Sequence, residues 1–152
     1  MPTTTNVITN AIDIKAGADD VWAVLADLVA TRSWLPGVVA TRMDGDLRVC
    51  TMAVGTEIHE RISGLSPENR SLRFEHVRVP LPVRHSAGTF TVTDGPGPDT
   101  ATVTLRTTVE PLDPAGADEL TAMIRGAFQQ SLESLRRFVE NKTTWDATEQ
   151  PS

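Results

Sequence analysis

Residues 117–141, ADELTAMIRGAFQQSLESLRRFVEN, repeat their apolar side chains with the period of an α-helix. A stripe runs through Leu120, Ile124, Ala127, Ser131, Leu135 and Phe138, flanked by Met123, Phe128, Leu132 and Val139. Glu119, Arg125, Glu133, Arg136 and Glu140 fall on the opposite side. A stripe of this kind has to be covered by another layer of structure. Most of what precedes it alternates with period two, so that layer is expected to be a β-sheet.

Seven segments alternate. Residues 6–15 place Ile8, Ile12 and Ile14 on one side. Residues 38–43 and 47–53 flank Asp44-Gly45-Asp46, a hairpin signal. Residues 56–63 and 71–79 flank the sequence SPEN, and 85–93 and 101–110 flank DGPGPD. Pro80-Leu81-Pro82 separates the fifth strand from the sixth, because proline cannot donate to a ladder. Between the first two strands, Ala18-Asp19-Asp20 opens the run VWAVLADL, where acidic residues suit a helix start. A second short helix is expected from Ala30 to Trp34, ended by Pro36-Gly37.

The result is an α+β chain: seven antiparallel strands, two short helices after the first, and one long C-terminal helix. A length of 152 residues suits a single core. We expect one domain over residues 6–142, a disordered start at 1–5 and a tail at 143–152. One helix cannot fill the concavity of a seven-stranded curved sheet, so an internal pocket is expected.

Other classes of function find little support. Net charge is −6, and no basic patch is evident for a nucleic acid. Cys50 is the sole cysteine, which precludes an intrachain disulfide. With no basic-then-apolar leader and no long apolar run, a cytoplasmic protein without membrane contact is expected. The histidines lack metal-ligand spacing, and no dinucleotide or P-loop motif is present, so neither metal nor cofactor is expected.

Alternation gives a list of inward side chains. It places Cys50 and Met52 inward on the third strand, and Ile58, Glu60 and Ile62 on the fourth. Leu72, Phe74 and His76 follow on the fifth, then Ser86, Gly88, Phe90 and Val92 on the sixth. Val103, Leu105, Thr107 and Val109 complete it on the seventh. The opposite faces are polar, as solvated faces should be. Asn10 shares the side of Ile8 and Ile12 and needs a buried partner.

Four stretches, IDIKAGADDVWAVLADL, WLPGVV, TEIHERISGLSPENRSLRF and LPVRHSAGTFTV, together resemble the SRPBCC or START-like superfamily over about residues 6–140. The closest likeness is to its bacterial polyketide cyclase/dehydrase branch. The resemblance implies a helix-grip fold, with the long helix across the sheet and an apolar pocket between them. Relatives cyclise polyketides, carry lipids or bind hormones, so function has to be argued from the pocket.

Glu60 and His76 stand out in that pocket. A hairpin centred on SPEN sets position 60 opposite 74 or 76, within reach across the strands. A buried carboxylate beside an imidazole could pass a proton to a ligand. An inward glutamate also occurs in the similar abscisic-acid receptors, where it reaches the ligand through water. A structural or ligand-binding Glu60 and a merely satisfied core His76 therefore remain open.

Supporting ligand contacts are expected from Trp34 at the mouth and from Arg48, whose guanidinium fork suits a carboxylate. The others expected are Cys50, Met52, Ile58, Ile62, Phe74, Ser86, Phe90, Leu105, Thr107, Ile124, Phe128 and Ser131. Arg84 and His85 are weaker candidates beside the mouth.

Two functions compete. One is a cyclase or dehydratase of secondary metabolism, a lyase-type enzyme that promotes cyclisation or dehydration of a hydrophobic polyketide intermediate by acid/base catalysis. The other is a non-catalytic binder or transporter of a small hydrophobic ligand. Either works as a monomer or homodimer.

Overall fold

The computed structural model describes residues 5–149, with side chains to 142. Residues 1–4 and 150–152, expected as frayed ends, lie outside the described residues. The strands are β1 (Asn6–Ile14), β2 (Val38–Asp44), β3 (Leu47–Met52), β4 (Glu57–Ser66), β5 (Ser71–Arg78), β6 (Val83–Asp94) and β7 (Ala101–Pro111). Helices α1 (Ala18–Ala26) and α2 (Thr31–Trp34) follow β1, and α3 (Ala117–Glu149) ends the chain. All seven expected strands form, in one antiparallel sheet of order β1-β7-β6-β5-β4-β3-β2. Strands β4 and β6 outrun the expected limits, and α3 continues past residue 141. No helix among the described residues is long and apolar enough to cross a membrane.

The turns follow from their residues. Gly45 adopts φ +61° between β2 and β3, a conformation that costs glycine little. Arg70 ends the β4–β5 turn at φ 47° and is tied down by Asp19 of α1, whose Oδ1 accepts from Nε at 3.0 Å and Nη2 at 2.6 Å.

On β7 the inward set Ala101, Val103, Leu105, Thr107 and Val109 is buried and the alternate residues are not, as period two requires. A bulge between Ile62 and Gly64 shifts the phase of β4 near its end.

Helix α3 lies along β1. Asn10 Nδ2 donates to Arg125 O and to Gln129 Oε1, each at 3.0 Å, and Gln129 Nε2 donates back to Ala11 O at 3.3 Å. The Asn10 amide nitrogen thus finds partners, while its Oδ1 is buried and accepts no hydrogen bond among the described residues. The stripe of α3 is not buried evenly. Leu132, Leu135 and Val139 join a main cluster with Trp22, Trp34, Phe74 and Phe90. Leu120 and Ile124 join a smaller cluster with Ile8 and Val109. Partly buried Phe128 packs against both clusters. Between them Ala127 and Ser131 face a gap that no side chain fills. Met123, expected beside the stripe, is 52% exposed because it lies on the far flank of the helix from the sheet.

Candidate functional site

That gap is a cavity of about 240 Å³. Its floor comes from β3, β4, β5, β6 and Leu105 of β7, its roof from Ala127, Phe128 and Ser131 of α3. One wall is α2 and the residues after it; the other is the Val79-Pro80-Leu81 segment between β5 and β6. Two open surface clefts of about 430 and 540 Å³ are wider, but neither contains a buried charge.

Antiparallel pairing sets one residue from each of three neighbouring strands in a row across the floor, and a hydrogen bond extends the row to a fourth strand. Arg48 of β3 stands opposite Glu60, and Glu60 of β4 stands opposite His76 of β5. Ser86 of β6 completes the row. Arg48 Nε donates to Glu60 Oε1 at 3.1 Å, with the two side chains only 4% and 8% exposed. Arg48 Nη1 donates to Thr31 Oγ1 at 2.8 Å, and that hydroxyl donates to Leu28 O at 2.9 Å. His76 Nε2 lies 3.6 Å from Glu60 Oε2, beyond a direct hydrogen bond, while Nδ1 and Ser86 Oγ are 3.0 Å apart.

Desolvation by burial is the main influence on His76 and pushes its pKa below the usual imidazole value. The nearby Glu60 opposes that shift, and the Arg48 charge adds to it. The imidazole is therefore neutral near pH 7, with Glu60 placed to stabilise it if it gains a proton. Burial raises the Cys50 thiol pKa, and Glu60 raises it further. Cys50 stays protonated, its Sγ 4.0 Å from Glu60 Oε1, and fills space as a small polarisable group.

Of the residues expected in the pocket, Trp34, Arg48, Cys50, Met52, Ile58 and Glu60 line it. So do Phe74, His76, Phe90, Leu105, Phe128 and Ser131. Four do not. Ile62 packs into the main core cluster instead. Ile124 of α3 packs in the smaller cluster with Ile8, the ladder partner of fully buried Thr107, so both Ile124 and Thr107 belong to the part of the helix–sheet contact that is filled by side chains. Ser86 is set back behind His76 and reaches the cavity only through it. Arg48 lines the cavity, but its Nε and Nη1 are taken by Glu60 and Thr31 rather than held for a ligand carboxylate. Arg84 and His85 are exposed, Arg84 lying 4.0 Å from Glu110, and the mouth segment ends before them. Alternation had no means of finding Thr31, Leu35, Pro36 or Val79, because these come from helix and loop.

Gly88 shapes the floor by what it lacks. A Cβ there would lie 2.6 Å from Phe74 Cζ and 2.9 Å from Cε1, so the Phe74 ring lies directly over the glycine backbone. Phe74 and Phe90 have centroids 5.8 Å apart, and Phe90 meets Trp34 edge-on at 6.3 Å. On the other side Phe74 meets His76 at 5.3 Å. An aromatic row thus runs from Trp34 to the ionisable row.

An antiparallel sheet gripping one long helix, with a small apolar chamber between, is the architecture that the sequence family described as polyketide cyclase/dehydrase and lipid transport leads one to expect. The pattern of that family matches residues 5–140. The chain belongs to this family. No curated protein matches it in sequence. Solved structures of this fold include an uncharacterised protein of Bacillus thuringiensis, 20% identical, with a TM-score of 0.82 over 88% of this chain and 98% of that one. Norcoclaurine synthase of Thalictrum flavum is 20% identical, with a TM-score of 0.74 over 94% of this chain and 99% of that one. The di-domain aromatase/cyclase BexL of the BE-7585A biosynthetic pathway is 21% identical, with a TM-score of 0.79 over 89% of this chain and 46% of BexL. At such identities the likeness to this family member is one of fold.

Proposed function

We propose that the protein is a small cyclase or dehydratase that acts on a compact, oxygenated, largely apolar polyketide-like intermediate. The observation that carries this reading is the buried Arg48–Glu60–His76–Ser86 row at the edge of an otherwise apolar chamber. With its hydrogen on Nδ1 donated to Ser86 Oγ, neutral His76 offers the Nε2 lone pair as a base. Nε2 takes the proton from a carbon beside a ketone. The resulting imidazolium faces Glu60, which Arg48 holds in place while Thr31 accepts from Arg48 in turn. The same proton then passes to a β-hydroxyl, the C–O bond breaks, and water leaves as the C=C bond forms. The protein gains and loses no net proton. Holding the ligand between sheet and helix supplies orientation and limits its contact with water, which accounts for part of the rate.

The cavity limits what can bind. It has room for about eight waters at their liquid share of ≈ 30 Å³ each, so a one- or two-ring skeleton suits it better than a full-length poly-β-ketone. We place the activity in the cytoplasm, on a monomer or homodimer, without metal or cofactor.

The test is turnover of bicyclic β-hydroxy ketones, read by mass spectrometry as the loss of one water. Glu60→Gln and His76→Ala are each expected to lower the rate about 10²-fold or more. Full rates in both variants, with substrate still bound, would refute the mechanism. A second reading, a non-catalytic carrier of the same ligands, is favoured by one observation: Glu60 is already engaged by Arg48 at 3.1 Å. It predicts ligands recovered unchanged across the panel, with Glu60→Gln altering affinity alone.

A further inference from the structure

The ionisable groups in the cavity wall are Arg48, Cys50, Glu60 and His76. Helices α2 and α3 and the Val79-Pro80-Leu81 segment add none to it. Arg48 and Glu60 are in contact at 3.1 Å, with side chains 4% and 8% exposed, so each charge already balances the other. Burial raises the Cys50 pKa and Glu60 raises it further, so the group stays a neutral thiol. Burial also keeps His76 neutral. Glu60 opposes this, while Arg48 and the exposed His85 of β6 add to it. The wall therefore holds one positive and one negative charge, bound to each other, and no net charge.

The rest of the wall is largely apolar, with Phe74, Phe90, Leu105 and Phe128 among its side chains. A charged group brought into this space loses water and finds no free counter-charge. Burying such a group is costly, and it takes up or gives up a proton instead. For a ligand carboxylate the proton can sit on its own oxygen or on His76. A ligand ammonium reaches Glu60 only in competition with Arg48, which already holds that carboxylate. We infer that the chamber selects uncharged ligands: ketones, esters and lactones enter as they are, and a free carboxylate enters only together with a proton. This rests on the chamber being the ligand site proposed above, and it narrows the substrate of that site. The reaction that supplies the substrate must then leave no free carboxylate. It does so by decarboxylation, with a proton taking the place of carbon dioxide, or by joining the acid to an alcohol or thiol with loss of water.

The test is calorimetric binding of 2-acetonaphthone and of 2-naphthoate between pH 7 and pH 9. The two have nearly the same shape, a methyl group in one standing where the other has a carboxylate oxygen, and naphthoate is ionised throughout this range. Wild type is expected to bind the ketone with an affinity independent of pH, and at pH 8 about 100-fold or more tightly than naphthoate. Naphthoate affinity, read by displacement of the ketone, is expected to fall about tenfold per pH unit, because one proton has to enter with it. Glu60→Gln leaves the Arg48 charge unbalanced, so at pH 8 it is expected to bind naphthoate about tenfold or more tightly than wild type does, with a flatter pH dependence. Equal binding of both probes by wild type, a naphthoate affinity that ignores pH, or no gain in Glu60→Gln would each overturn the inference. Should that variant not fold, the wild-type ratio and pH slope decide. Failure of both probes to bind would overturn the chamber as a ligand site and this inference with it. A protein that shows the charge selection yet dehydrates nothing would sink the catalytic reading and leave the selection standing.

Discussion

Replacing Arg48 by Met removes one partner of a buried ion pair while keeping an unbranched apolar side chain in its place. The pair is short, 3.1 Å between Nε and Oε1, and both side chains are less than a tenth exposed. Water can therefore do little to solvate what is left. The Thr31 hydroxyl also loses the 2.8 Å bond from Nη1. Breaking a pair of this kind costs about 3–5 kcal/mol, most of it from the uncompensated carboxylate. For a chain of this length each kcal/mol moves Tm by about 2–4 °C, so a fall of roughly 6–20 °C is expected. The double variant Arg48→Met/Glu60→Leu removes both charges and should recover most of the loss, because two apolar groups in place of a buried pair are often neutral or better. Urea melts of wild type, both single variants and the double variant close the cycle. An Arg48→Met loss under about 1 kcal/mol, the size seen for solvated surface pairs, would show that the row is wet and refute the enclosed chamber. Failure of the double variant to recover would refute the assignment of the cost to charge.

Two further outcomes are expected. Folding lowers the His76 pKa below its unfolded value, so the unfolded chain takes up the proton first. The stability this contributes is present above the unfolded pKa of about 6.5 and is lost as pH falls through the folded value. Urea melts from pH 7 down to pH 5 should therefore show wild type losing stability more steeply than His76→Asn, by up to about 1.4 kcal/mol per pH unit; identical slopes would contradict a buried neutral imidazole. Gly88→Ala forces the Phe74 ring off the floor, at an overpacking cost of about 1–3 kcal/mol. Thermal melts and titration with a bicyclic β-hydroxy ketone should show lower Tm and weaker binding together, and unchanged binding would mean that the ring does not form the floor.

The strands, their turns and the juxtaposition of Glu60 with His76 were legible because they rest on local rules. Alternation assigns a face, and the SPEN turn sets the register that pairs the two residues. The partner of Glu60 was less legible. Arg48 was placed on the inward face, yet its pairing depends on where the β3–β4 connection turns, around Gly55 at φ +96°. The sequence there, AVG, carries no strong hairpin signal. Thr31 reaches the row only because α2 folds back onto the sheet, a tertiary fact with no period. Ile62, Thr107 and Ile124 show the same limit from the other side. Each lies on the face that alternation or helical period gave it, but what covers that face depends on the line α3 takes across the sheet, and neither period encodes that line.

Strand β1 has β7 as its neighbour in the sheet, with Asn6 opposite Val109, and α3 then lies along β1. The first strand made must wait while the intervening residues are synthesised, about 5–20 s at ordinary ribosomal rates. During that interval Ile8, Ile12 and Ile14 have no sheet to join. Nascent chains of this protein should therefore be most vulnerable to holdase capture and to clumping just before β7 emerges, and assembly should be slow for the chain's size, since its decisive pairing joins distant segments.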